Sequence, residues 1–110
     1  MRILTTAGMM IGLAFSSAFA GSPPLHPQRQ SELIHLVRQD CGSCHGMELR
    51  GGLGPALTPQ TLKDKPASSL VSTILHGRPG TPMPPWKNFL SESEANWIVD
   101  NLQKGFPDAR

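Results

Sequence analysis

The sequence contains no tyrosine, and aromatic residues make up only 5% of its 110 residues. Beyond the first twenty positions the rings are Trp86, Phe89, Trp97 and Phe106 alone. So few large side chains leave a small core short of material, and something other than side chains is expected to fill its centre. No stretch alternates apolar and polar residues with period two, which argues against a sheet. Charge is nearly balanced, with 10 lysines and arginines against 8 aspartates and glutamates. That balance gives no argument for nucleic acid or for an anionic membrane surface as a partner. No internal repeat or low-complexity tract is visible. Cysteine occurs only at positions 41 and 44.

The amino terminus reads as an address. Arg2 precedes an uncharged, largely apolar run over residues 3–15, and Ala18-Phe19-Ala20 forms a small-x-small pattern ahead of Gly21. This predicts an export signal, residues 1–20, cleaved after Ala20. The competing reading, a retained anchor, is opposed by a run shorter than the ~20 residues needed to cross a bilayer. Residues 21–110 are then one small periplasmic domain with no stable membrane association. A chain of that size often needs a metal, a disulfide or a cofactor to hold it together.

Three helices are expected in this domain. Between Pro27 and Asp40, Leu33, Ile34 and Val37 stand at helical spacing and lead into the cysteines. Residues 66–76 carry Leu70, Val71, Ile74 and Leu75 on one face, with Gly77 placed to stop the helix. In the last helix Ser91 and Glu94 form a capping box, and Ala95, Ile98, Val99 and Leu102 follow on one side. Lys104, Gly105 and Pro107 mark its end. Residues 51–59 (GGLGPALTP) and 77–85 (GRPGTPMPP) are loops, the second stiffened by its prolines. The fold class is therefore all-α, about three helices with long loops.

The stretch DCGSCHG over residues 40–46 offers several chemistries. A dithiol oxidoreductase places its CxxC at a helix start in a βαβ unit, and no strands are expected here. A structural zinc site wants four ligands, usually as two spaced pairs, whereas His26, His35 and His76 are scattered singly. A disulfide between Cys41 and Cys44 would close too short a loop to constrain the unfolded chain much. Covalent haem uses every residue of the motif: Cys41 and Cys44, one turn apart, for the two vinyl groups, and His45 as an axial ligand. It would also supply the missing core, as one haem c per chain.

A partner for His45 can be sought among His26, His35, His76, Met47 and Met83. Met47 lies too close to His45 in sequence to reach the opposite face of a porphyrin. His26 precedes the first helix, His35 reads as an exposed helix residue, and His76 reads as a dipole partner at a helix end. Met83, held between prolines, is an odd core filler and a good fixed ligand. The expected iron ligands are thus His45 and Met83, an arrangement that raises the potential of haem.

Across residues 30–104 the chain resembles a class I cytochrome c. The resemblance rests on the helix into Cys41-Gly42-Ser43-Cys44-His45, on Leu53-Gly54-Pro55-Ala56-Leu57, on the segment Gly77 to Pro84, and on the capped helix opening Leu90-Ser91. It implies that the carbonyl of Pro55 accepts the second ring N–H of His45, and that the first and last helices cross. Asn101 stands where that family often has an aromatic, and Trp97 is expected to take over the packing. HGRPGTPMPPW and LSESEANWIVDNL are similar to the cytochrome c-55X branch, small monohaem proteins of denitrifying bacteria that accompany cd1-type nitrite reductase. That similarity implies passing electrons to the reductase, or assisting maturation of its haem d1.

An iron with both axial positions filled has no place for substrate, so a monomeric one-electron carrier is expected and an enzyme is not. The alternatives are an assembly factor for haem d1 and a haem ligand sensor or enzyme. Arg78, Trp86 and Lys87 are candidates for the haem propionates, and Lys63 and Lys65 for a docking surface.

Overall fold

The computed structural model describes residues 24–108, so the expected export signal over residues 1–20 lies outside them. Helix α1 spans Pro27–Leu36, and its axis continues through a π-helical turn, Val37–Cys41, into the short helix α2, Gly42–His45. Helix α3 is Pro59–Leu62, α4 is Ala67–His76 and α5 is Glu92–Lys104. No strand occurs among the described residues. Three long helices thus stand where the apolar spacing puts them, and two four-residue helices join them. Segments as short as α2 and α3 show no periodicity by which to recognise them.

Helices α1, α3 and α5 each start on a side-chain cap. His26 caps α1, its Nδ1 accepting the Gln28 N–H at 3.2 Å, with Pro27 as the first helical residue. The Thr58 hydroxyl accepts the Thr61 N–H at 3.4 Å ahead of α3, again with proline following. Ahead of α5 the capping box closes in both directions: Glu94 N–H donates to Ser91 Oγ at 3.1 Å, and Ser91 N–H donates to Glu94 Oε1 at 3.0 Å. Glu92 and Glu94 in its first turn and Lys104 in its last complement the helix dipole.

The core is aliphatic. Leu33, Val37, Leu49, Leu62, Leu90, Ile98 and Leu102 are buried in one cluster, and Val71, Ala95 and Val99 form a second where α4 meets α5. Trp97 packs against the first cluster and meets Phe106 edge to face, with ring centres 6.3 Å apart. The side-chain amide of Asn101 donates to the Trp97 carbonyl at 2.8 Å. Arg29 near the start of α1 is hydrogen-bonded to Glu94 in the first turn of α5. Arg38 in the π-helical turn donates to the carbonyls of Phe106 at 2.8 Å and Pro107 at 3.0 Å, and stacks on the Phe106 ring at 5.7 Å. The beginning and end of the domain are tied together at these two places.

Candidate functional site

Helix α4 packs against α5, but the helices leave a space beside the cysteine motif. Between them lies a cavity of about 850 Å³, within the ~300–1,000 Å³ typical of cofactor pockets. Val37, Leu57, Leu70, Ile74, Ile98 and Val99 contribute apolar wall. They come from the π-helical turn, the loop before α3, and the inner faces of α4 and α5, so the cavity occupies the centre that the sparse aromatics leave unfilled.

Cys41, Cys44, His45 and Met83 all line this cavity. The first three come from the π-helical turn and α2, and Met83 comes from the loop between α4 and α5. None of the other candidate ligands lines it. His26 caps α1, His35 and His76 are solvent-exposed, and Met47 is 64% exposed. Arg78, Trp86 and Lys65 are on the cavity wall, whereas Lys87 and Lys63 are not.

The imidazole of His45 is held by a backbone acceptor. Its Nδ1–H donates to the Pro55 carbonyl at 2.7 Å, the partner implied by the family resemblance. A carbonyl cannot donate, so the proton of the neutral ring sits on Nδ1 and the Nε2 lone pair is free for a metal. Pro55 comes this close because residue 54 has no side chain. A Cβ there would stand 2.8 Å from both Cε1 and Nδ1 of the ring. Gly52 plays the same part for the motif backbone, since a Cβ would lie 2.8 Å from the Cys44 carbonyl oxygen. Gly54 N–H donates to that carbonyl at 2.8 Å, and Gly51 N–H to the His45 carbonyl at 2.8 Å.

Leu49 completes this loop. It is buried at 3% exposure, yet its φ is +61°, a conformation that a leucine adopts only under constraint. Its N–H donates to Gly46 and its carbonyl accepts from Leu57, each at 2.8 Å. The apolar anchor and these two bonds offset the backbone cost. Neither Leu49 nor the packing role of Gly54 is visible in the sequence, although the glycines at 46, 51, 52 and 54 signal close backbone approach.

The cysteines are unpaired thiols. Burial pushes the Cys41 thiol up to about 11, and the neighbouring Asp40 carboxylate adds to the rise. A thiol that is protonated at neutral pH is a poor exchange catalyst, which counts against the dithiol reading. No group of three or more His, Cys, Asp or Glu side chains suited to a metal occurs among the described residues, which counts against zinc. Two sulfurs, an oriented imidazole and a thioether on one large apolar cavity fit a covalently held haem.

Comparison with known proteins agrees. Residues 28–102 match the family described as cytochrome c oxidase, cbb3-type, subunit III. Cytochrome c55X of Pseudomonas aeruginosa is 54% identical over 99 residues, covering 88% of this chain and 83% of that protein. The solved structure of the c-type cytochrome NirC superposes with a TM-score of 0.73 at 59% identity, over 74% of this chain and 95% of that one. A shorter stretch of 72 residues is 38% identical to dihydro-heme d1 dehydrogenase of Pseudomonas aeruginosa, covering 66% of this chain but 15% of that protein.

Proposed function

The chain belongs to the class I c-type cytochromes, and on that premise we propose that it is a periplasmic one-electron carrier serving a cd1-type nitrite reductase system. A c-type cytochrome carries haem covalently, and the haem supplies the redox change. In this reading Cys41 and Cys44 would hold it through thioethers, and His45 and Met83 would be the iron ligands. The observation that carries the proposal is the convergence of these four residues on one apolar cavity.

The protein's own part is to hold, orient and exclude. The Pro55 carbonyl fixes the proton of His45 at Nδ1 and keeps Nε2 directed to the metal. Apolar walls from the π-helical turn, α4 and α5 limit water and raise the cost of a charge change at the centre. Held by His45 and Met83 on a fixed scaffold, the group would pass a single electron without a bound substrate. The similarity to cytochrome c55X and NirC supports the place in denitrification.

The alternative reading is a role in maturation of haem d1, although the stretch shared with dihydro-heme d1 dehydrogenase spans 15% of that protein. Deletion separates the two. A strain with fully loaded but slowly turning nitrite reductase supports electron supply, and a strain whose reductase lacks haem d1 supports maturation. Rapid carbon monoxide binding by the ferrous protein would count against both and for a ligand-binding haem protein.

A further inference from the structure

The loop that carries Met83 contains four prolines in nine residues, at 79, 82, 84 and 85. Proline has no N–H, so this loop is short of the donors from which turns are built. Its internal bonds gather instead on one side chain. Thr81 Oγ1 donates to the Arg78 carbonyl at 2.7 Å and accepts the Met83 N–H at 3.3 Å. The Arg78 N–H donates to the Met83 carbonyl at 3.1 Å, and the Thr81 N–H also donates to the Arg78 carbonyl at 3.1 Å. Residues 78, 81 and 83 thereby close a ring of hydrogen bonds that engages both backbone polar groups of Met83. Thr81 is the only hydroxyl in residues 77–85.

The other side of the ring is set by Gly77. Its φ is +69°, and a Cβ there would stand 2.6 Å from the Met83 carbonyl oxygen and 2.9 Å from backbone atoms of Pro84 and Pro85. Those atoms belong to a proline-stiffened backbone and cannot swing aside as a flexible side chain would. The loop therefore lies directly against the end of α4, and the Thr81 hydroxyl fixes where along that contact residue 83 sits.

We propose that Thr81 is a positioning residue for the thioether of Met83, acting through its hydroxyl bridge between Arg78 and Met83 with Gly77 as the backstop. This rests on the reading of Met83 as an iron ligand. The hydroxyl reduces the freedom of the backbone from which the sulfur reaches the cavity, so it favours the bound thioether over an outside ligand.

The test is an imidazole titration of the ferric holoprotein, followed by the charge-transfer band of sulfur ligation. Losing the bridge in Thr81→Val is expected to tighten apparent imidazole binding about tenfold, the scale of one to two lost hydrogen bonds. Thr81→Ser keeps the hydroxyl and is expected to stay close to the parent. Gly77→Ala leaves Thr81 in place but displaces residues 83–85, and is expected to shift in the same direction as Thr81→Val. Parent-like affinity in Thr81→Val would overturn the proposal, as would a Thr81→Ser variant that behaves like the valine. Met83→Ala serves as the reference: it should lose the band and bind imidazole most tightly. If it does and Thr81→Val does not move, the positioning role fails while the ligand assignment stands. If Met83→Ala keeps the parent spectrum, the ligand assignment itself fails and the positioning role with it.

Discussion

His45 Nδ1 lies 2.7 Å from the carbonyl oxygen of Pro55, across a gap that exists only because residue 54 is glycine. The bond fixes the tautomer of the ring, and the missing side chain fixes how near the loop approaches it. Gly54→Ala would place a methyl 2.8 Å from two ring atoms. The expected cost is that of overpacking, about 1–3 kcal/mol, together with a changed His45–iron spectrum. Denaturant unfolding of the holoprotein measures the first and absorption or paramagnetic NMR the second. A variant with the parent's stability and spectrum would show that the loop does not constrain the ring.

The two sides of the site should separate by mutation. Cys44→Ser prevents normal double attachment and is expected to yield little folded protein, because the cavity stands at the centre of the core. Met83→Ala is expected to keep its haem, lower the potential and open the iron to carbon monoxide. Haem staining under denaturing conditions and carbon monoxide binding check the pair. A stable, natively helical apoprotein from Cys44→Ser would contradict the view that haem fills the core.

Arg38 should matter for the carboxyl-terminal segment and be irreplaceable by lysine. Its planar guanidinium reaches the carbonyls of both Phe106 and Pro107 and stacks on the Phe106 ring, which a lysine ammonium does not reproduce. Arg38→Lys and Arg38→Ala are both expected to lose about 1–3 kcal/mol of stability, the scale of hydrogen bonds to a charged group. Hydrogen exchange should quicken at the carboxyl-terminal end of α5 in both. Full protection there in the lysine variant would refute the argument from the fork.

Acid should loosen the contact between α1 and α5. The hydrogen bond from Arg29 holds the Glu94 carboxyl below its ordinary value of 4.5, and bonds from Ser91 add to this. A carboxyl depressed in the folded state contributes stability above its unfolded pKa and loses it as pH falls through the folded one. Stability attributable to this pair is therefore complete above about pH 5 and fades below pH 4. Glu94→Gln should flatten that part of the acid-unfolding curve. It should cost about 1 kcal/mol or less at neutral pH, as expected for a surface pair with one half-buried end. An acid limb identical to the parent's would show that the pair contributes nothing to the pH dependence.

The sequence carried the long helices because their apolar spacing and caps are local signals. Leu33 and Val37 in the first, Val71 in the middle and Ala95, Ile98, Val99 and Leu102 in the last are buried, while Ile34, Leu70, Ile74 and Leu75 on the expected faces are half-buried. Cys41, Cys44, His45 and Met83, singled out because few other residues offer donors of that chemistry, are brought to one cavity by the fold. What stayed hidden depends on tertiary contact. The π-helical turn at Val37–Cys41 reflects how the helix is accommodated beside the cavity, and Leu49 with its positive φ depends on a core that only the fold assembles. The roles of Gly54 and Gly77 likewise follow from which atoms come to lie opposite them.

Whether a haem is held between His45 and Met83 can be read most directly from a spectroelectrochemical titration of the purified holoprotein. The account predicts one low-spin haem with thioether attachment and a single one-electron wave. The ferric form should show the sulfur charge-transfer band, and the ferrous form should be slow to bind carbon monoxide. A high-spin spectrum without that band, with rapid carbon monoxide binding at neutral pH, would contradict it.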